Sequence, residues 1–121
     1  MERNILGSGL EACCHQPKTG FLRDGFCKAP DSDYGKHWIC AVVTDEFLSF
    51  TQLMGNDLTR PGPGFPGLKA GDCWCLCVSR WIQAKDAGCA PMIKPKSTHI
   101  RTLEYVSYEI LEEYFWRQED E

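Results

Sequence analysis

Residues 66–81 constrain the fold of this chain more than any other segment, because they join a glycine-rich turn, an apolar run and a helix start. The run 73–78 alternates three cysteines with larger apolar residues, which is typical of a buried strand. Ser79 is predicted to cap a short helix over residues 80–87, which the glycine at position 88 stops. We expect the rest of the chain to be organised around this strand and helix.

Two further strands and two further helices are predicted along the chain. Residues 37–43 are rich in β-branched and aromatic side chains and nearly all apolar, as expected for a buried strand. Thr44 then caps a helix that ends at Gly55. Residues 103–106 are predicted to form a third strand, and a final helix begins after Ser107.

These elements favour a single domain over residues 1–121 with an α+β fold. We expect a two-layer sandwich, in which a small sheet carries helices on one face and long irregular loops join the elements. In the helix after Thr44, one apolar stripe at helical spacing is predicted to face inward, formed by Phe47, Phe50, Leu53 and Met54. Residues 56–71 contain three prolines and four glycines, and a connection of this length is often functional.

Charge and hydropathy exclude several classes of partner. The net charge is −4 and no basic stripe is present, so we expect no nucleic acid partner. No apolar run approaches the length of about 20 residues that a membrane-spanning helix needs. The acidic C-terminal end, with Glu119, Asp120 and Glu121, is interpreted as a solvated face. Trp116 is predicted to be exposed and to mark a patch for self-association.

The chain contains eight cysteines, and their interpretation depends on the compartment. Residues 1–15 carry three charged residues and no apolar signal-like core, so we expect a cytoplasmic protein. In a reducing cytoplasm the thiols are expected to stay reduced, so the alternatives are metal binding, catalysis or packing.

The chain resembles a family of small, mostly bacterial proteins known as DUF2237, a domain of unknown function. The resemblance spans nearly the whole chain and is carried by residues 19–25 (TGFLRDG), His37, residues 40–48 (CAVVTDEFL), 55–58 (GNDL), 65–68 (FPGL), Asp72, 74–77 (WCLC), 98–99 (TH) and 103–107 (LEYVS). It implies a compact α+β fold and no particular reaction. It includes Cys13, Cys27, Cys40, Cys75 and Cys77, whereas Cys14, Cys73 and Cys89 are particular to this chain.

Cys75 and Cys77 lie two residues apart on the predicted central strand and therefore point to the same face. Their Cα atoms would be about 6.5–7 Å apart, so a bridge between them is disfavoured. Two thiolates could form half of a zinc site, completed by His37, Cys40, His99, Cys13 or Cys27. No Cys-x-x-Cys or His-x₃-His pair is present, however, so packing as small apolar residues is favoured. We therefore expect neither a metal nor another cofactor.

A thiol-dependent enzyme is one alternative. We assign Cys75 as the nucleophile, with Cys77 as an alternative, and His37 as the base, with His99 as an alternative. Asp24 is assigned the role of orienting the base. A direct pair between His37 and the cysteine at position 40 is disfavoured, because the odd spacing places them on opposite faces of a strand.

Binding of a small polar or anionic ligand, without chemistry, is the favoured interpretation. The ligand would contact the Gly/Pro loop and four polar residues: Arg23, Asp57, Arg80 and His99. Several of the polar loop residues also have a structural explanation. Asp24 would form an Asx turn, Asn56 and Asp57 would satisfy a helix end, and Arg80 would pair with an aspartate.

Overall fold

The computed structural model of this protein describes residues 2–14, 19–62 and 65–116, and contains a three-stranded antiparallel sheet with the order β2-β1-β3. The strands are β1 (His37–Val42), β2 (Cys73–Cys77) and β3 (Met92–Ile93). The α-helices are α1 (Asp45–Leu53), α2 (Val78–Asp86) and α3 (Tyr108–Glu112), and 3₁₀ helices cover Pro95–Ser97 and Ile100–Glu104. The predicted α+β class with irregular loops is confirmed. The acidic end with Glu119, Asp120 and Glu121, and Pro63 and Gly64 of the long connection, lie outside the described residues.

The sheet divides two clusters of buried side chains. In β1, Ile39 and Ala41 belong to the main apolar core, together with Leu76 of β2 and residues of all three helices, such as Phe47, Trp81 and Leu111. The alternating positions belong to a second cluster made of cysteines, Cys13, Cys27, Cys40, Cys73 and Cys75, with Cys14 packed against it. Because neighbours in a strand point to opposite faces, the alternation of β2 separates these clusters.

The N-terminal segment covers the cysteine face of the sheet and is joined to it covalently. Its disulfides are Cys13–Cys40, Cys14–Cys73 and Cys27–Cys75. The buried hydroxyl of Thr19 accepts a hydrogen bond from the amide of Cys75 at 2.7 Å. The expectation that the thiols are all reduced is therefore wrong for six of the eight cysteines, since the strand cysteines lie opposite cysteines of the N-terminal loops. Cys77 and Cys89 are free, and the expected absence of a Cys75–Cys77 bridge is confirmed.

Several predicted boundaries differ from those observed. Helix α2 begins at Val78, and its N-cap is Cys77 rather than Ser79. The predicted third strand at residues 103–106 is wrong, because residues 100–104 form a 3₁₀ helix and the edge strand is β3. Thr44 and Ser107 do cap α1 and α3, where they accept amide hydrogen bonds at 3.0 and 3.4 Å.

The apolar stripe of α1 is rotated relative to the prediction. Phe47, Leu48 and Thr51 are buried, whereas Leu53 is 80% exposed and Met54 is also exposed. Among the described residues, none of the helices has the length and apolar character required to cross a membrane.

Candidate functional site

A buried aspartate holds the imidazole of His37 at the start of β1. The side chain of Asp33 is fully buried, and its two carboxylate oxygens serve different groups of the same histidine. One accepts a hydrogen bond from the backbone N–H of His37 at 2.9 Å, and the other pairs with the ring Nδ1 at 2.7 Å. This two-point contact fixes the ring and leaves Nε2 directed away from Asp33.

Cys77 is the cross-strand partner of His37 in the sheet. A hydrogen bond with the Cys77 side chain is the largest cause that raises the pKa of His37, to about 9. Burial opposes this shift, whereas the charge of Cys77 and the carboxylate of Asp33 support it. Since Asp33 already binds Nδ1, Nε2 is the nitrogen left for Cys77. Asp33, His37 and the free Cys77 therefore lie next to one another, at the start of β1 and the end of β2.

Cys77 is one of the two cysteines that form no disulfide. It is half-buried, free of any disulfide and located at the N-cap of α2, where its side chain makes no capping hydrogen bond. Cys89, the other free cysteine, is buried, and burial raises the pKa of its thiol, with a further contribution from the carboxylate of Glu46.

A bulge at the start of β1 brings the pair together. The register shifts between His37 and Ile39, so Trp38 is an extra residue relative to β2. His37 therefore lies opposite Cys77, and Cys77 shares a face of β2 with Cys75, the partner of Cys40. The prediction that His37 and Cys40 occupy opposite faces is wrong, because counting positions along a strand assumes that no bulge intervenes.

The loop before β1 determines how closely the imidazole can approach. A Cβ atom on Gly35 would lie 2.6 Å from Cε1 of His37, so only glycine allows the ring to lie where it does. Lys36 adopts a left-handed conformation with φ 53°, and its carbonyl accepts hydrogen bonds from Trp38 and Val78. This one carbonyl thereby joins the start of β1 to the start of α2, the two elements that carry His37 and Cys77.

His37 also lines a surface pocket of about 600 Å³. Its other lining residues combine aromatic and aliphatic side chains with one guanidinium: Phe21, Arg23, Leu58, Gly62, Phe65 and Trp74. The Phe21 ring stacks on the imidazole with centroids 6.4 Å apart, and the Arg23 guanidinium lies 5.0 Å from the Trp74 ring centre. The pocket meets the Asp33–His37–Cys77 group at His37, and Arg23 and a protonated His37 are its cations.

The two other residues assigned to catalysis do not join this group. Cys75 is buried and bonded to Cys27, so its sulfur is not a free nucleophile. Asp24 accepts a hydrogen bond from the N–H of Phe26 and pairs with Lys28 at 2.8 Å. Burial opposes ionisation of Asp24, but the bonds from Lys28 and Phe26 outweigh it and lower the pKa of the carboxyl. Asp24 therefore forms an Asx turn, as the structural explanation in the sequence analysis predicted, and does not orient the base.

Of the residues assigned to ligand binding, Arg23 lines the pocket and the other three make local contacts. The carboxylate of Asp57 accepts hydrogen bonds from the hydroxyl and amide of Thr59, which lower the pKa of this carboxyl. Arg80 donates to the Met54 carbonyl at 3.1 Å and to Gln83, so the expected pairing with an aspartate is wrong.

His99 is also structural. It is buried, its Nδ1 accepts a hydrogen bond from the amide of Arg101, and its Nε2 contacts the carboxylate of Glu2. The ring caps the 3₁₀ helix that follows it. Trp116, predicted to be exposed, is half-buried, with the Lys94 ammonium 5.1 Å from its ring.

Asp33 is the functional residue that the sequence prediction missed. It stands four residues before His37, across a turn that contains a glycine. That spacing is a usable signal, because a tight turn can fold an aspartate back onto the residue that starts the next strand. Asp24, which was predicted for this role, lies in an Asp-Gly turn where the amide of Phe26 and the ammonium of Lys28 satisfy its carboxylate.

A family model described as "Uncharacterized protein conserved in bacteria (DUF2237)" matches residues 3–115 of this chain. A search of the curated proteins found no match. The match covers nearly the whole chain, so this protein belongs to the DUF2237 family, as the sequence resemblance implies.

Proposed function

We propose that this protein is a thiol-dependent enzyme in which Cys77 is the nucleophile, His37 the acid–base group and Asp33 the residue that orients His37. The observation that carries the proposal is the placement of Asp33, His37 and Cys77 next to one another beside a pocket. A nucleophile, a base within hydrogen-bonding reach and a third group that orients the base are the parts that nucleophilic catalysis requires. The assignment keeps His37 from the sequence prediction, takes Cys77, the predicted alternative to Cys75, as the nucleophile, and replaces Asp24 with Asp33.

Acyl transfer is the reaction class that we assign. The thiolate of Cys77 attacks the carbonyl carbon, and the electron pair of the C=O bond moves to oxygen. When this intermediate collapses, the bond to the leaving group breaks and the imidazolium of His37 gives that group a proton. Water then attacks the thioester while His37 accepts its proton, and the thiolate leaves. Asp33 keeps the ring in one tautomer and stabilises its charged form.

The pocket favours a small anionic substrate. The guanidinium of Arg23 can bind a carboxylate with two parallel N–H bonds, and an imidazolium at His37 adds a second positive charge. Aromatic rings of Phe21, Phe65 and Trp74 provide an apolar wall for the rest of the molecule. The sequence favoured binding of a small polar or anionic ligand. The proposal keeps this as the substrate-binding step, in which Arg23 supplies the positive charge.

An activated ester tests the proposal, with 4-nitrophenyl hydrogen succinate as the anionic probe and 4-nitrophenyl acetate as the neutral one. We expect a burst of nitrophenol from the succinate ester and a succinyl group on Cys77, located by peptide mass spectrometry. Cys77→Ala should abolish the adduct, whereas Cys89→Ala, a matched control, should retain it. Arg23→Gln should remove most of the preference for the anionic ester.

Two results would contradict the proposal. One is release of nitrophenol by Cys77→Ala at the rate of the natural protein. The other is a folded protein that binds the hydrolysed succinate at the pocket but forms no adduct at Cys77, which would favour ligand binding without chemistry.

The cytoplasmic location stays a prediction, and the disulfides make it testable. Disulfides are rare in reducing compartments and common in oxidising ones. Rapid acid quenching of cells, followed by alkylation, would report the state of the six paired cysteines. Recovery of the protein from the cytoplasmic fraction is the expected result, and bridged cysteines in an exported fraction would contradict it.

A further inference from the structure

We infer that Cys13, Cys27, Cys40 and Cys75, once reduced, form a binding site for a thiophilic metal ion of the Zn²⁺ class. All four side chains are nearly or completely buried, with exposed fractions of 5%, 0%, 0% and 1%. They come from four separate segments, two N-terminal loops and strands β1 and β2. This inference is independent of the proposed acyl transfer, which uses none of the four.

Three of the four sulfurs already lie close enough together to share one metal ion. The Sγ atoms of Cys13, Cys27 and Cys75 all lie within 4.8 Å of one another, and that of Cys40 is bonded to Cys13. A tetrahedral Cys₄ zinc site has Zn–S distances near 2.3 Å, which places its sulfurs about 3.8 Å apart. Conversion from two bridges to one tetrahedron therefore requires Cys40, once released from Cys13, to rotate its side chain toward the other three sulfurs.

The backbone prepares these positions. Cys40 and Cys75 are register partners in the sheet, and their bridges to Cys13 and Cys27 hold both N-terminal loops against it. The Cys13 amide bonds to the Gly25 carbonyl at 2.6 Å, which holds the two N-terminal loops together. The amides of Cys40 and Cys75 donate to the buried hydroxyls of Thr98 and Thr19, which fix the strands from both sides.

A second trio, Cys13, Cys14 and Cys73, also has its sulfurs within 4.8 Å of one another. It is the weaker site, because Cys14 is half-buried and a fourth buried sulfur next to it would have to come from the first group. The ammonium of Lys94 lies 3.8 Å from the sulfur of Cys73. That cation would repel a metal ion at Cys73 but would offset the negative charge of a Zn(Cys)₄ unit in the neighbouring cluster.

The chemistry balances with a dithiol reductant, the class that keeps cytoplasmic thiols reduced. Each S–S bond accepts two electrons and two protons from one dithiol, which itself closes to a disulfide. The four thiols then lose their protons as they bind Zn²⁺, and a Zn(Cys)₄ unit with two negative charges results. Metal binding and disulfide formation are thus alternative states of the same four sulfurs.

Cobalt titration of the full chain, reduced with a phosphine under anaerobic conditions, tests this inference. We expect one Co²⁺ per chain with the intense absorption of tetrahedral thiolate coordination, displaced by one equivalent of Zn²⁺. Cys27→Ser and Cys75→Ser should each weaken binding by more than about tenfold, since even the loss of an outer-shell partner costs that much. Cys14→Ser and Cys89→Ser, as matched controls, should bind as the natural chain does.

The inference is overturned if the reduced chain takes up no stoichiometric Co²⁺ or Zn²⁺, or if Cys27→Ser and Cys75→Ser bind both ions normally. Where a serine variant does not fold, alkylation mapping of the natural reduced chain decides. Protection of the four cysteines by Zn²⁺ with modification of Cys14 supports the site. Equal modification of all five with and without Zn²⁺ contradicts it.

Discussion

His37 is the residue on which the chemistry depends, because three different groups converge on it. Asp33 holds Nδ1, Cys77 pairs with the ring from the neighbouring strand, and Phe21 stacks on its face. His37 and Cys77 were recognisable in the sequence as a strand-end histidine and a strand cysteine. Their pairing was one of the predicted alternatives, but the sequence could not select Cys77 over Cys75 or identify Asp33. The β-bulge at Trp38 and the turn that returns Asp33 are set by backbone geometry.

The raised pKa of His37 makes folding stability depend on pH in a defined direction. The pKa is 6.5 for a free imidazole and about 9 here, so the folded state favours the protonated ring. This contribution to stability is fully present below pH 6.5 and is lost as the pH rises through 9. Urea unfolding at several pH values should show the natural protein losing stability relative to His37→Gln over this window. A constant difference between the two would contradict the assignment.

Gly35 offers a test of how precisely the imidazole must be placed. In Gly35→Ala the new methyl group would lie 2.6 Å from Cε1 of His37, so the ring must shift away from Asp33 or Cys77. We expect the rate of Cys77 alkylation by iodoacetamide to fall by about tenfold while the protein stays folded. Gly9→Ala is the matched control, because its Cβ would meet nothing within 4 Å. Equal rates in both variants would show that the ring position does not matter.

At the scale of elements, the sequence correctly predicted the helix starts that are set by a single capping side chain. Thr44 and Ser107 cap helices as expected, because an N-cap hydroxyl bonds to an amide of its own helix. Ser79 was wrong as a cap because the chain leaves β2 directly into α2, so Cys77 takes that position. The edge strand β3 has only two residues, and its existence depends on pairing with β1, which no local pattern reports.

Helix α1 shows how packing selects among apolar residues. Phe47 is fully buried, whereas Leu53 is 80% exposed although both belong to the predicted stripe. Phe47→Ala should lower the free energy of unfolding by about 3–5 kcal/mol, the usual cost of a truncated core phenylalanine. Leu53→Ala should change it by less than about 0.5 kcal/mol. Urea denaturation of the two variants tests this. A comparable loss of unfolding free energy in both would mean that Leu53 faces inward, as the sequence predicts.

At the scale of the whole molecule, two cores lie on opposite faces of one small sheet. Helices cover the apolar face, and the N-terminal segment covers the cysteine face. The alternation of residues 73–78 predicted a strand buried on both faces, but not that cysteines elsewhere would meet it. The disulfide between Cys27 and Cys75 joins residues 48 positions apart in the sequence. Such a pairing depends on the tertiary fold, and the spacing of residues within a segment does not predict it.

The disulfides should carry much of the stability of the oxidised form. Each bridge lost typically costs about 2–4 kcal/mol, because the unfolded chain regains freedom. Full reduction without metal should therefore lower the urea midpoint markedly and expose the N-terminal segment to proteolysis first. An unchanged midpoint after complete reduction, verified by mass spectrometry, would contradict a structural role for the bridges.

The central claim is that His37 activates Cys77, and the rate of cysteine alkylation tests it most directly. The oxidised protein contains two free thiols, Cys77 and the buried Cys89, so one sample holds both the test and its reference. With iodoacetamide near neutral pH, Cys77 should react at least about tenfold faster than Cys89. His37→Gln should remove most of this advantage and leave Cys89 unchanged. Equal rates for the two thiols, or a fast Cys77 that is indifferent to His37→Gln, would contradict the account.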